Sequence, residues 1–178
     1  MSEKLAPDDS QLIEAARAGD ERAFETLYRR YRDFVLIIAV RFGATGQDAL
    51  DVLQETFLYL LRKLPGLELQ CRLRTLLYPV AKHLALDRKA ARRGHADLDA
   101  VPDPPARPGE ESTAVDSLEA VLHLLARLPP GEAEVVWLRF VDGLSLDEVA
   151  AALAIPLGTV KSRLHAALEA LRRRPAAP

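Results

Sequence analysis

A chain of 178 residues that is 49% hydrophobic, with 24 lysines and arginines against 26 aspartates and glutamates, has enough apolar material for one domain or two small ones. Its single cysteine, Cys71, excludes an internal disulfide and fits a reducing compartment, and its longest apolar run, Phe34 to Val40, is far short of the ~20 residues a bilayer crossing needs. The start, Met1-Ser2-Glu3-Lys4 followed by Asp8 and Asp9, lacks the basic opening and apolar core of a secretory signal, so a cytoplasmic location is expected.

The N-terminal stretch reads as helices throughout. Ser10 to Ala18 carries Leu12, Ile13, Ala15 and Ala16, and Asp20 stands where it caps a following helix containing Phe24, Leu27, Tyr28, Tyr31, Val35 and Ile38. A third helix is predicted over Gln47 to Leu64. Ala49, Leu50, Leu53, Phe57, Leu60 and Leu61 cluster toward the side that binds it to a bundle. The other side carries Asp48, Asp51, Glu55 and Arg62, with Val52, Leu58 and Tyr59 among them. An acidic face with exposed apolar members is the composition of a partner surface.

Net charge near zero hides a polar distribution. Residues 1 to 61 hold 7 basic against 11 acidic side chains, and residues 62 to 93 hold 9 against 2. A local stripe of cations neutralises phosphates whatever the total charge. A helix from Arg74 to Arg93 bears much of it: Lys82, Arg88, Lys89, Arg92 and Arg93 form a basic track, with Pro79 inside expected to kink the helix. Such a track suits splayed bases held by stacking and edge contacts, or is simply a solvated face. Gly94 to Ala114, with four prolines and 5 acidic residues against 1 basic, is predicted to be a flexible linker.

Beyond it, Ser145 to Arg174 reads as two short helices joined by a tight turn. Leu146, Val149, Ala150 and Leu153 give the first an apolar face, Ala154, Ile155 and Pro156 stop it, and a second is expected to restart after Gly158. On the second, Val160, Leu164, Ala167, Leu168 and Leu171 share one side. Thr159, Ser162, His165, Ala166 and Glu169 point away, with Lys161 and Arg163 on the flanks. Small polar groups facing base edges, with flanking cations for phosphates, suit a major groove. Patterning alone leaves open an ordinary two-helix corner.

The wording of these segments resembles a known family. Gly158-Thr159-Val160-Lys161-Ser162-Arg163-Leu164-His165, with Asp147-Glu148-Val149-Ala150, Leu128-Pro129-Pro130, the helix Glu132 to Val141 and the corner Gly143-Leu144-Ser145, is similar to region 4 of the sigma-70 family in its extracytoplasmic-function (ECF) group. The likeness runs ungapped from about Leu118 to Arg174. Ala23-Phe24-Glu25-Thr26-Leu27-Tyr28-Arg29-Arg30-Tyr31, then Asp48-Ala49 through Gln54-Glu55-Thr56-Phe57, then Leu77 through Lys89, resemble region 2.

The resemblance implies an all-α fold of two small helical domains, a region-2 bundle over 1–93 and a region-4 helix-turn-helix over 115–178, joined by the linker 94–114. It implies a sigma factor that binds core RNA polymerase, through the β′ clamp and the β flap, and promoter DNA, with an anti-sigma factor as a further partner. Carried over residue by residue, Asp48, Asp51, Val52, Gln54, Glu55 and Tyr59 would meet polymerase. Arg74, Lys82, His83, Arg88, Lys89, Arg92 and Arg93 would meet the melted downstream element, and Thr159, Lys161, Ser162, Arg163 and His165 the upstream, minus-thirty-five element. The chain departs from the family in three places. Leu73 and Leu76 stand where an aromatic pair is usual, His83 replaces an asparagine, and Leu67-Glu68-Leu69-Gln70-Cys71-Arg72 replaces a polar, glycine-containing loop that receives a flipped base.

Two other classes compete: a sigma-like protein that sequesters an anti-sigma factor, and a helix-turn-helix regulator that acts without polymerase. Catalysis finds little footing. His83, His95, His123 and His165 are scattered without metal-ligand spacing, and no phosphate-cradling glycine loop occurs, so no catalytic set, metal or cofactor is expected. Cys71 reads as a buried apolar residue or a chance thiol, and Trp137 and Phe140 as core of the C-terminal domain.

Overall fold

The computed structural model describes residues 8–69, 71–95 and 124–173. Every regular element among them is helical, and the chain divides into two compact units, Met1–Ala106 and Arg107–Pro178.

The first unit begins with α1, Asp9–Arg17, closed at its start by a capping box. The Asp8 carboxylate accepts from the Gln11 amide at 2.8 Å, and the Asp8 amide donates back to the Gln11 side chain at 3.3 Å. Asp20 caps α2, Glu21–Arg41, by accepting from the Arg22 and Ala23 amides. Then come α3, Gln47–Lys63, a 3-10 turn over Leu64–Gly66, and α4, Leu73–His95. Helices α2, α3 and α4 pack pairwise around a core that includes Leu27, Val35, Ile38, Val52, Leu60, Leu73, Leu77 and Tyr78. Phe57 takes the rings of Phe24 and Tyr28 against its own, which ties α3 to α2.

The buried face of α3 is rotated from the one expected. It comprises Ala49, Val52, Leu53, Thr56, Phe57 and Leu60, while Leu50 and Leu61 are 51% and 47% exposed. Thr56 explains the shift: its hydroxyl donates to the Val52 carbonyl at 2.7 Å, so a polar side chain is buried at little cost and the helix turns that stripe inward. Pro79 lies inside α4 without ending it, on an exposed face, where it removes one hydrogen bond of the helix. The helix also runs two residues into the segment expected as linker, to His95; the remainder, 96–114, lies outside the described residues.

In the second unit α5, Pro130–Val136, continues into a π-helical turn over Trp137–Val141, closed by the Asp142 amide on the Trp137 carbonyl at 3.1 Å. This turn corrects one core assignment. Trp137 is buried at 1% exposure, but the wider turn carries Phe140 outward to 60%. Gly143, at φ +69, then turns the chain, and the Arg139 guanidinium holds the corner by donating to the Leu144 carbonyl at 2.8 Å.

Helix α6, Leu146–Leu153, opens on a capping box between Ser145 and Glu148. It ends at Ala154, which takes the left-handed conformation, φ 52, that residues other than glycine rarely adopt. Pro156 is the N-cap of α7, Leu157–Arg172, so this helix starts at Leu157 and not after Gly158. Proline's fixed φ suits a helix start and its absent donor costs nothing there, which leaves Gly158 free to lie inside the first turn. Val149, Ala152, Val160 and Ala167 are buried, and Leu164 and Leu171 pack against the cluster of Leu125, Leu128, Ala133, Val136 and Trp137.

Candidate functional site

Helix α7 is seated by Val160 and Ala167 and turns Lys161, Ser162 and His165 outward, with Thr159 and Arg163 half-buried at the edge. The Ser162 hydroxyl donates to the Thr159 carbonyl at 3.0 Å, which fixes its rotamer and leaves its oxygen to accept. The Arg163 side chain folds back toward α5, so close to Gly131 that a Cβ there would stand 3.1 Å from the guanidinium carbon. The five residues expected to read duplex DNA therefore share one exposed face and its border. Near the end of α7, Glu169 pairs with Arg172 and Arg173.

In the first unit, two of the three sets expected at separate interfaces meet each other. Asp51 and Glu55 of α3 both pair with Arg88 of α4, the former at 3.0 Å, and Asp48 pairs with Arg92 at 3.4 Å. The hydrogen bond and charge of Glu55 raise the Arg88 pKa above its ordinary range. Arg92 also donates to the Thr45 hydroxyl and the Gly43 carbonyl, each at 2.7 Å. Lys89 lies against Gly43, where φ is +97 and a Cβ would be strained and would stand 2.9 Å from the lysine stem. The distal half of α4 thus clasps the corner between α2 and α3.

Closer to its start, α4 carries cations over aromatic rings. Lys82 lies 5.2 Å from the Phe42 ring centroid and Arg74 5.2 Å from that of Phe34. Arg41, which the sequence did not single out, flanks Phe42 at 5.4 Å. Its only signal was the run Arg41-Phe42-Gly43 at a helix end. His83 pairs with Asp87 at 3.3 Å and borders an open groove of about 720 Å³ between α3 and α4, lined also by Glu55, Tyr59, Arg62, Leu76 and Pro79. The Arg93 side chain lies outside what is described.

Val52 cannot belong to a surface: it is fully buried between α3 and its neighbours, because the acidic flank faces α4 and the apolar residue beside it goes to the core. The exposed apolar stripe of α3 is instead Leu50, Leu58 and Leu61, with Gln54 among them. Together with Phe24 and Tyr28 of α2 they line a shallow groove of about 390 Å³. Leu58 is exposed as expected, whereas Leu50 and Leu61 were expected on the packed side, because leucines at this spacing fit either the buried or the exposed side.

Leu73 is fully buried and Leu76 lines the α3–α4 groove, so the first of this pair is core. Cys71 is exposed, so of its two readings the buried apolar residue does not hold. Among the described residues no cluster of three His, Cys, Asp or Glu side chains could hold a metal ion, and no helix is long and apolar enough to cross a membrane.

Against known proteins, residues 27–95 match the family model for sigma-70 region 2, and residues 118–171 that for sigma-70, region 4. The RNA polymerase sigma-H factor of Pseudomonas aeruginosa is 32% identical over 176 residues, covering 92% of this chain and 91% of that protein. The ECF RNA polymerase sigma-E factor of Escherichia coli is 32% identical over 184 residues, covering 96% and 95%. Among solved structures, CnrH in complex with the cytosolic domain of CnrY superposes with a TM-score of 0.64 at 25% identity, over 92% of this chain and 94% of that one. The sigma factor RpoE of Bartonella quintana, in complex with the anti-sigma factor NepR, shares the fold with a TM-score of 0.59 at 21% identity, over 84% and 94%.

Proposed function

This chain belongs to the sigma-70 family, in its ECF group, and is a sigma factor of transcription initiation, and from that premise we propose which of its surfaces carries each step. It acts in the cytoplasm as a subunit of RNA polymerase with no catalysis of its own, lending the enzyme its choice of promoter.

The exposed stripe Leu50, Gln54, Leu58 and Leu61 docks on the β′ clamp: it joins apolar area to a hydrogen-bonding group, and apolar side chains left in water on a packed helix are what a partner buries. The β flap meets the second unit, where Phe140 and Val141 stand exposed. The start of α4 and the preceding loop face the opened downstream element, with Arg74, Lys82 and His83 as the polar side chains nearest to it. Arg88 and Arg92 serve chiefly to hold α4 in place, since their charge is already met by Asp48, Asp51 and Glu55. Thr159, Lys161, Ser162, Arg163 and His165 read the upstream duplex from the major groove, with the cations on phosphates and the small polar groups on base edges. An anti-sigma factor is a further partner; the structurally similar CnrH is held in complex with the cytosolic domain of CnrY.

The observation that carries this reading is that a single relationship spans both units in order, while α7 keeps its polar face outward on a packed core. Run-off transcription with core polymerase, comparing the chain with a Lys161→Ala, Arg163→Ala variant, tests it. Start sites that need the protein and weaken in the variant support the assignment. Stable binding to core with no transcription from any promoter, or no binding to core at all, overturns it, the latter in favour of a protein that only sequesters an anti-sigma factor.

A further inference from the structure

Helix α1 lies outside the residues that match the region 2 family model, yet it is fastened to the bundle at both ends. At its start Asp9 pairs with Arg30 at 2.6 Å and accepts from the Tyr31 hydroxyl, while Leu12 and Ile13 are buried. At its end Arg17 reaches the segment that follows α3. Its Nε donates to the Leu64 carbonyl at 3.1 Å and its Nη2 to the Leu67 carbonyl. These two oxygens belong to the first residue of the 3-10 turn and to the residue that follows the turn and opens the loop. Leu64 is anchored in the core, and its carbonyl also takes the Leu67 amide at 3.2 Å. A planar guanidinium that spans both carbonyls fixes the direction in which the backbone leaves the 3-10 turn, which a single point donor cannot do.

We propose that Arg17 is a positioning residue for the start of the loop, Leu67 to Leu69, and through it for base preference at the downstream promoter element. The proposal rests on the functional reading given above, in which this loop faces the opened strand. Arg17 touches no nucleic acid in it; α1 acts as a strut whose far end sets where the loop begins. This chain needs such a strut because its loop opens with leucines, whose side chains make no hydrogen bonds of their own to hold the backbone.

The test uses full-length protein with core polymerase on promoters that share one upstream element and differ only in single bases of the downstream element. Arg17→Ala should reduce the ratio of transcription between preferred and disfavoured bases by about fivefold or more. Affinity for core should be unchanged. Arg17→Lys, which keeps the charge and can serve one carbonyl at a time, should fall between the two. Unchanged ratios in Arg17→Ala, or an equal drop on every promoter, would overturn the proposal and leave α1 a stabilising helix only. A wild-type protein with no base preference at the downstream element would overturn the reading of the loop itself, and the role of Arg17 with it.

Discussion

Replacing Arg92 by alanine separates two roles that its sequence position allows. In the structure its guanidinium makes two hydrogen bonds of 2.7 Å, to Gly43 and Thr45, and an ion pair with Asp48 at 3.4 Å, with the side chain 44% exposed. Hydrogen bonds from a charged donor contribute about 1.5 kcal/mol or more when buried, and solvent screening at this exposure reduces the pair together to ~1–1.5 kcal/mol. The ion pair adds about 0.2–0.5 kcal/mol. Arg92→Ala should therefore destabilise the first unit by about 1–2 kcal/mol, which lowers its melting temperature by roughly 5–10 °C for a unit of this size. Calorimetry of the full chain reads the shift. The same variant, assembled with polymerase, should leave the salt dependence of promoter binding as it is, because losing a phosphate ligand to a single strand would reduce the slope by about 0.7. A melting temperature within about 2 °C of wild type, together with a reduced slope, would refute the assignment of Arg92 to the clasp.

Other outcomes follow from the same packing. Burial, then the hydrogen bond and charge of Asp9, raises the Tyr31 phenol above its ordinary pKa of about 10. The folded state favours the neutral phenol, so its contribution is complete below about pH 10 and is lost as pH climbs further. Tyr31→Phe should flatten the alkaline fall in stability measured by circular dichroism. Leu50→Glu with Leu58→Glu, on the exposed stripe of α3, should change stability by no more than about 1 kcal/mol and weaken core polymerase binding by tenfold or more, about 1.4 kcal/mol, in a competition assay. Trp137→Ala should cost about 3–5 kcal/mol in chemical denaturation, whereas Phe140→Ala should cost under about 1 kcal/mol.

Which of these features the sequence could reveal depended on whether their cause is local. Asp20 as a cap and Pro156 as the stop of the helix before it act within a few residues, and both are legible as written. The apolar seam of α7 is equally plain. The face of α3 was not, because Thr56 looks polar until its hydroxyl is seen to satisfy itself on its own helix. Phe140 was misplaced because a π turn has no compositional mark, and counting at 3.6 residues per turn carries it inward. The pairing of Asp48, Asp51 and Glu55 with Arg88 and Arg92 joins residues far apart in the chain. Sequence showed an acidic helix and a basic one, and only packing shows that each is the other's counterion.

The π turn over Trp137–Val141 also keeps a phase. Such a turn is an α-helix holding one residue more than its hydrogen-bond ladder needs, and each residue advances a helix by about 100°. The wider turn advances less per residue, so it absorbs the extra residue locally and lets the chain leave α5 for α6 on the bearing an uninterrupted helix would give. Deleting one residue there should restore an ordinary helix with little change in that bearing. What the turn changes is which side chains face out: Phe140 stands in solvent, while Trp137 and Leu138 before it and Leu144 after it stay buried.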